Sequence, residues 1–192
     1  MPFSACASLA SALMAAALLG CTRAPGDSTP AGESGGTPAA TATVDSIVLE
    51  RTVCFGFCPA YRLSIAATGA VLFERRAQRG TPGDTARDTI DTAALDGLVA
   101  RARAIGFFAL PDEITPANQD ACPMAATDHP SAIVTIAIGD TVKRVNHYHG
   151  CHAPRGEDMG DAYPDLTQLE NAIDRAARVE RWLRDPENGQ GT

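Results

Sequence analysis

The sequence predicts an α+β domain: an antiparallel sheet of about five strands, ordered β-β-β-α-β-β-α along the chain, with two helices packed on one face. Three observations lead there. Large apolar and polar residues alternate in Tyr61-Arg62-Leu63-Ser64-Ile65, the pattern of a strand with one buried face. Between Thr92 and Ile105, and again after Pro164, apolar residues recur at the spacing that lines one side of a helix. Thr68-Gly69 and Gly139-Asp140 separate apolar runs, where glycine supplies the positive φ of a tight hairpin.

In chain order, Ile47-Val48-Leu49 begins a first strand, Tyr61 to Ile65 forms a second, and Val71-Leu72-Phe73 returns as a third. Arg75 to Asp88 is polar and contains glycine, so it reads as a loop holding at most an edge strand. Leu95, Leu98, Val99, Ala102 and Ile105 give the first helix its apolar face. Asp91 or Thr92 caps its free N–H groups, and Gly106 ends it. At least one of Phe107 and Phe108 belongs in the core. Pro111 to Pro130 is irregular around Cys122, and loops beyond ~12 to 15 residues need fastening in a compact domain. Ala132 to Ile138 and Thr141 to His147 pair across Gly139-Asp140, with Val134, Ile136, Ile138, Val145 and His147 on the core side. Pro164 suits the first turn of the last helix, whose stripe is Leu166, Leu169, Ile173, Ala176 and Ala177. Val179 and Trp182 fall off that stripe, so the chain bends there or packs a second surface.

This domain spans residues 45–184. Residues 1–20 read as a signal peptide, without a charged side chain and with an apolar run from Leu9 to Leu19. The run is shorter than the ~20 residues of a membrane span. It closes in Leu18-Leu19-Gly20-Cys21, which resembles the lipobox of bacterial lipoproteins. The resemblance implies cleavage before Cys21 and a lipid on that cysteine. An ordinary secretory signal cleaved nearby is the alternative, and both readings export the chain. Residues 21–44 are rich in Gly, Pro, Ser, Thr and Ala, too poor in large apolar groups to offset chain entropy. They form a disordered tether, and residues 185–192 a disordered tail. The protein is thus expected in the bacterial cell envelope, lipid-anchored on the periplasmic side, at the outer membrane. The formal charge of −7 lies wholly after Cys21 and includes no basic cluster, which argues against nucleic acid as a partner. The expected partners are the membrane, through the anchor, and a protein of the envelope.

The most distinctive stretch is Cys54-Phe55-Gly56-Phe57-Cys58-Pro59-Ala60-Tyr61. With Cys6 cleaved away and Cys21 lipidated, Cys54, Cys58, Cys122 and Cys151 remain. An even set in an oxidising compartment favours disulfides. The pairs Cys54–Cys58 and Cys122–Cys151 are preferred, because Gly56 lets a small ring close between two strands and Cys122 lies in the loop that most needs tying down. Loop entropy gives the first bridge ~2 kcal/mol and the second ~3.5 kcal/mol. The same stretch, with Thr68-Gly69, Val71, Thr127-Asp128-His129-Pro130, His147-Tyr148, Leu169-Glu170-Asn171-Ala172-Ile173-Asp174 and Trp182, resembles a family of uncharacterised bacterial exported domains. Many of these sit behind lipoprotein signals, and the resemblance brings no activity with it.

A metal site is the alternative. Cys54-x-x-x-Cys58-Pro59 resembles in spacing the copper site of the Sco family of copper chaperones. Thiolates select Cu(I), and imidazole suits copper or zinc. The candidate ligands for copper or zinc are therefore Cys54, Cys58, His147, His149 and His152. In the Sco family, however, the motif precedes a helix, whereas Tyr61 to Ile65 alternates as a strand, so no cofactor is the favoured reading. A reactive dithiol needs a helix N-terminus or an adjacent cation, and the nearest in sequence are Arg51 and Arg62. Catalysis would require His147, His149 and Asp128 to converge in a cleft. There is no nucleophile elbow, phosphate loop or zinc-protease helix. Glu157, Asp158 and Asp161 lack the alternating pattern of a calcium loop. A disulfide-stapled binding or structural module is favoured over an enzyme.

Overall fold

The computed structural model describes residues 43–153 and 160–184, all within one unit, Ala40–Thr192. The expected signal peptide, Cys21, the expected tether up to residue 42, Glu157, Asp158 and residues 185–192 lie outside the described residues. Four antiparallel strands come first: β1 (Val44–Arg51), β2 (Tyr61–Ala66), β3 (Ala70–Arg75) and β4 (Asp84–Thr89). Helix α1 (Thr92–Ala104) and a 3-10 turn at Phe107–Ala109 follow. Then come β5 (Glu113–Ile114), β6 (Met124–Ala125), β7 (Ser131–Ile138), β8 (Thr141–Tyr148), β9 (Cys151–Ala153) and β10 (Gly160–Asp161). Helices α2 (Pro164–Ala176) and α3 (Glu180–Leu183) close the domain.

The main sheet has seven strands in the order β4-β3-β2-β1-β7-β8-β5, and a second sheet has three, β10-β9-β6. The α+β class holds, but the main sheet is larger than the expected five strands and mixed, because β5 pairs parallel with β8. The added strands lack an apolar period. β4 reads Asp-Thr-Ala-Arg-Asp-Thr and is mostly exposed, while β5, β6 and β10 are two residues each. They are joined through the backbone groups of neighbouring strands, and only β5 adds a side chain to the core, Ile114.

The alternating pattern sets the register. Leu49 stands between Leu63 and Val134, and Ile47 between Ile65 and Ile136, with all six side chains buried. Phe73 lies opposite Leu63 and continues that face. Leu95, Leu98, Val99 and Ala102 of α1 and Leu166, Leu169 and Ile173 of α2 join the same core. The Asp91 carboxylate accepts from Ala93 N at 2.8 Å at the start of α1, and Gly106 follows its end at φ 70°. Phe107 enters the core. Beyond α2 the chain turns at Arg178, where φ is 55°, which buries Val179 and sets Trp182 5.0 Å from the ring of Phe73. That bend is why these two residues leave the helical stripe.

Candidate functional site: the disulfide ring and its clamp

β1 ends at Arg51 and β2 begins at Tyr61, so the connection between them carries both cysteines of the distinctive stretch. A disulfide joins Cys54 to Cys58 across a Cα separation of 5.5 Å. Gly56 occupies φ 141° inside the ring, a conformation that side-chain-bearing residues rarely adopt. The exit is fastened by Gln78, whose amide donates to Cys58 O at 2.9 Å and accepts from Ala60 N at 3.1 Å. The entrance is fastened by Thr52, which accepts from Ser131 N at 2.7 Å and donates its own N–H to Ser131 O at 3.0 Å. Phe55 N adds a bond to Asp128 O at 3.3 Å. The backbone is thus tied on both sides, yet the side chains of the ring point away from the protein. Phe55 is 88% exposed and Phe57 103% exposed, and Val53 beside them is 58% exposed. A groove of about 660 Å³ flanks the ring and is completed by Arg75, Gln78, Arg79, Thr81 and Leu183.

Below the ring, its two flanking residues meet a single carboxylate. Arg51 and Tyr61 are register partners. Arg51 donates to Asp174 Oδ2 through Nη2 at 2.9 Å and Nε at 3.2 Å, and the Tyr61 hydroxyl donates to Asp174 Oδ1 at 2.7 Å. Arg51 also donates to Glu170 Oε2 at 3.1 Å and Asn171 Oδ1 at 3.2 Å. Glu170 and Asp174 are one turn apart on α2, so one helix face grips both strands at the base of the ring. Glu170 is fully buried, with His147 Nδ1 at 2.8 Å from Oε1 and His149 Nε2 at 2.8 Å from Oε2.

Burial alone would raise the Glu170 pKa, but hydrogen bonds from His147 and His149 outweigh it and hold the carboxyl at about 2, against an ordinary 4.5. Glu170 is therefore an acceptor, and both imidazoles donate to it. Burial raises the pKa of Asp174 despite Arg51 and Tyr61. The Arg51 guanidinium stays charged, since Asp174 and Glu170 more than offset the effect of its burial.

The second disulfide, Cys122 to Cys151, spans 5.2 Å between Cα atoms and is buried in the core. It ties the long loop to β9, beside the pairing of β6 with β9. All four sulfurs are bonded in pairs, so Cys54 and Cys58 offer no thiolate in this structure. Among the described residues, the group with metal-ligand spacing is His147, His149 and Glu170. His152 lies apart from that group, 6.2 Å from the ring of exposed His129. Asp128 is exposed at φ 70° and accepts from Thr127 Oγ1 at 3.1 Å. His149, a candidate ligand from the sequence, bonds the buried Glu170 carboxylate.

Arg51, Glu170 and Asp174 were not legible as site residues, and Tyr61 reads from sequence as packing alone. One signal for Glu170 was present: it occupies a position within the apolar stripe of Leu166, Leu169 and Ile173, where a carboxylate requires buried partners. A comparison with curated proteins gives no match. Residues 45–177 match the model of a family described only as a domain of unknown function, DUF6438, and the chain belongs to that family.

Proposed function

We propose that this protein is an exported, lipid-anchored module of the cell envelope that binds a partner protein through the Cys54–Cys58 ring. The observation that carries this reading is the pair Phe55 and Phe57, almost wholly in solvent on a backbone tied at both ends. An exposed phenylalanine adds nothing to the stability of its own fold, whereas burying one at an interface is worth about 1.5–3 kcal/mol. Prior fixation of the loop reduces the ordering cost of association. Apolar anchors beside the polar groups of Gln78, Arg79 and Thr81 give the mixture of core and rim found at protein interfaces. Cys21 supplies the lipid anchor, and residues 21–44 give the domain reach from the outer membrane.

The test is photo-crosslinking in the producing bacterium, with benzoylphenylalanine in place of Phe57 and, as a control, in place of Val142, which is 67% exposed on β8. A discrete protein adduct from position 57, absent from position 142 and lost on Phe55→Ser, is expected. Adducts to lipid alone, or the same pattern from both positions, would overturn the reading. Cys21→Ser should release the chain from the membrane fraction, and retention there would contradict the anchor.

A further inference from the structure

Three carboxylates and one guanidinium meet around the two histidines at the clamp. Asp174 and Glu170 face one guanidinium, Arg51, and a third carboxylate, Asp161 Oδ1, stands 3.9 Å from His147 Nε2. That Nε2 atom is buried and has no hydrogen-bond partner. Asp161 already accepts from Tyr163 N at 2.8 Å and Thr167 Oγ1 at 2.7 Å, so with Nδ1 bonded to Glu170 it is the far nitrogen of His147 that is left without a partner.

We propose that His147, His149 and Glu170 bind one divalent ion of the zinc type. Their ligand atoms all lie within 4.8 Å of one another. Zinc holds nitrogen and oxygen ligands at about 2.0–2.2 Å, which places ligands of a tetrahedral ion roughly 3.4 Å apart. Each His–Glu separation of 2.8 Å therefore opens by about half an ångström as the ion replaces the shared protons. Coordination through Nδ1 requires the ring proton to move from Nδ1 to Nε2, where it faces Asp161. Ligating histidines commonly donate in this way to an outer carboxylate. Two imidazoles and one carboxylate form a donor set that zinc accepts, with a coordination position left for water. His149 is 23% exposed, which gives an ion a path to two otherwise buried ligands. Arg51 retains Asp174 as its partner when Glu170 turns toward the ion.

The experiment is titration of the oxidised, chelator-treated full chain with zinc chloride by calorimetry, with cobalt(II) absorption as a second readout. One ion per chain with micromolar or tighter Kd is expected, together with visible cobalt bands from a nitrogen and oxygen ligand set. His149→Ala and His149→Gln should each weaken binding at least 100-fold and abolish those bands. His129→Ala, at an exposed histidine outside the cluster, should change neither. Circular dichroism checks that the variants are folded. Absence of zinc binding to the wild-type chain overturns the proposal, as does equal affinity in a folded His149 variant.

Discussion

Replacing Arg51 with methionine keeps the length and volume of the side chain while removing its charge and all its donors. In the structure Arg51 is 13% exposed and bonds Glu170, which is fully buried, and Asp174, which is 21% exposed. His147 and His149 still satisfy Glu170 in the variant, but Asp174 keeps only the Tyr61 hydroxyl. Breaking a buried ion pair from one side typically costs about 3–5 kcal/mol, because the other charge is left unpaired. Against a total stability of roughly 5–15 kcal/mol, the loss is severe but compatible with folding. The assay is urea unfolding of the oxidised protein at neutral pH, followed by circular dichroism. With a slope of about 2 kcal/mol/M, the midpoint should fall by about 2 M at unchanged slope, and Tm by roughly 10–20 °C. Asp174→Asn in the Arg51→Met background should restore part of the loss, giving a coupling of about 1.5 kcal/mol or more. A midpoint shift below about 0.5 M would equate the pair with an exposed one and refute the claim that the clamp holds the base of the ring.

Three further outcomes follow from the same structure. Glu170 has a folded pKa of about 2, below its ordinary 4.5, so its contribution is complete above pH 4.5 and is lost as pH falls from there toward 2; it amounts to about 3 kcal/mol. Asp174, shifted upward, works in the opposite sense over the acid range, and acid titration of stability should be shallower in Glu170→Gln than in the wild type. Cys122→Ala with Cys151→Ala should lower stability by ~3.5 kcal/mol and Cys54→Ala with Cys58→Ala by ~2 kcal/mol in denaturant titrations, since the closed loops differ in length; equal losses would contradict the loop argument. Gly69→Ala should destabilise by at least about 1–3 kcal/mol, because a Cβ there meets Ile90 O at 2.2 Å and the backbone sits at φ 79°; a Tm unchanged within error would count against the Thr68-Gly69 turn.

The sequence was most legible where side chains repeat. Period two in β2, β7 and β8 and the helical stripe of α1 each report a burial pattern, and burial is what fixes them. Asp91 and Gly106 were legible for the same local reason, since a cap and a positive φ are chemical needs of one helix. β5 and β6 were not, because two residues are too short to show a period, and β4 was legible only as an edge strand within a polar stretch. The clamp escaped for a different reason. Arg51 and Glu170 are 119 positions apart, and each reads alone as an ordinary surface charge. Only the fold brings α2 against the join of β1 and β2. The cysteine stretch stood out at once, whereas its chemistry depended on one fact, whether its sulfurs are bonded to each other. Once they are, the distinctive feature becomes the two phenylalanines the ring displays.

The central claim is that these phenylalanines serve an interface and not the fold. Its most direct measurement is the affinity of the crosslinked partner, once isolated, for the wild-type chain and for the Phe55→Ser, Phe57→Ser double variant, with Tm recorded for both. An unchanged Tm with affinity lower by about 10²- to 10⁴-fold is the expected result, from about 3–6 kcal/mol of lost apolar burial. Affinities within threefold of each other, or a double variant that loses stability instead, would contradict the account.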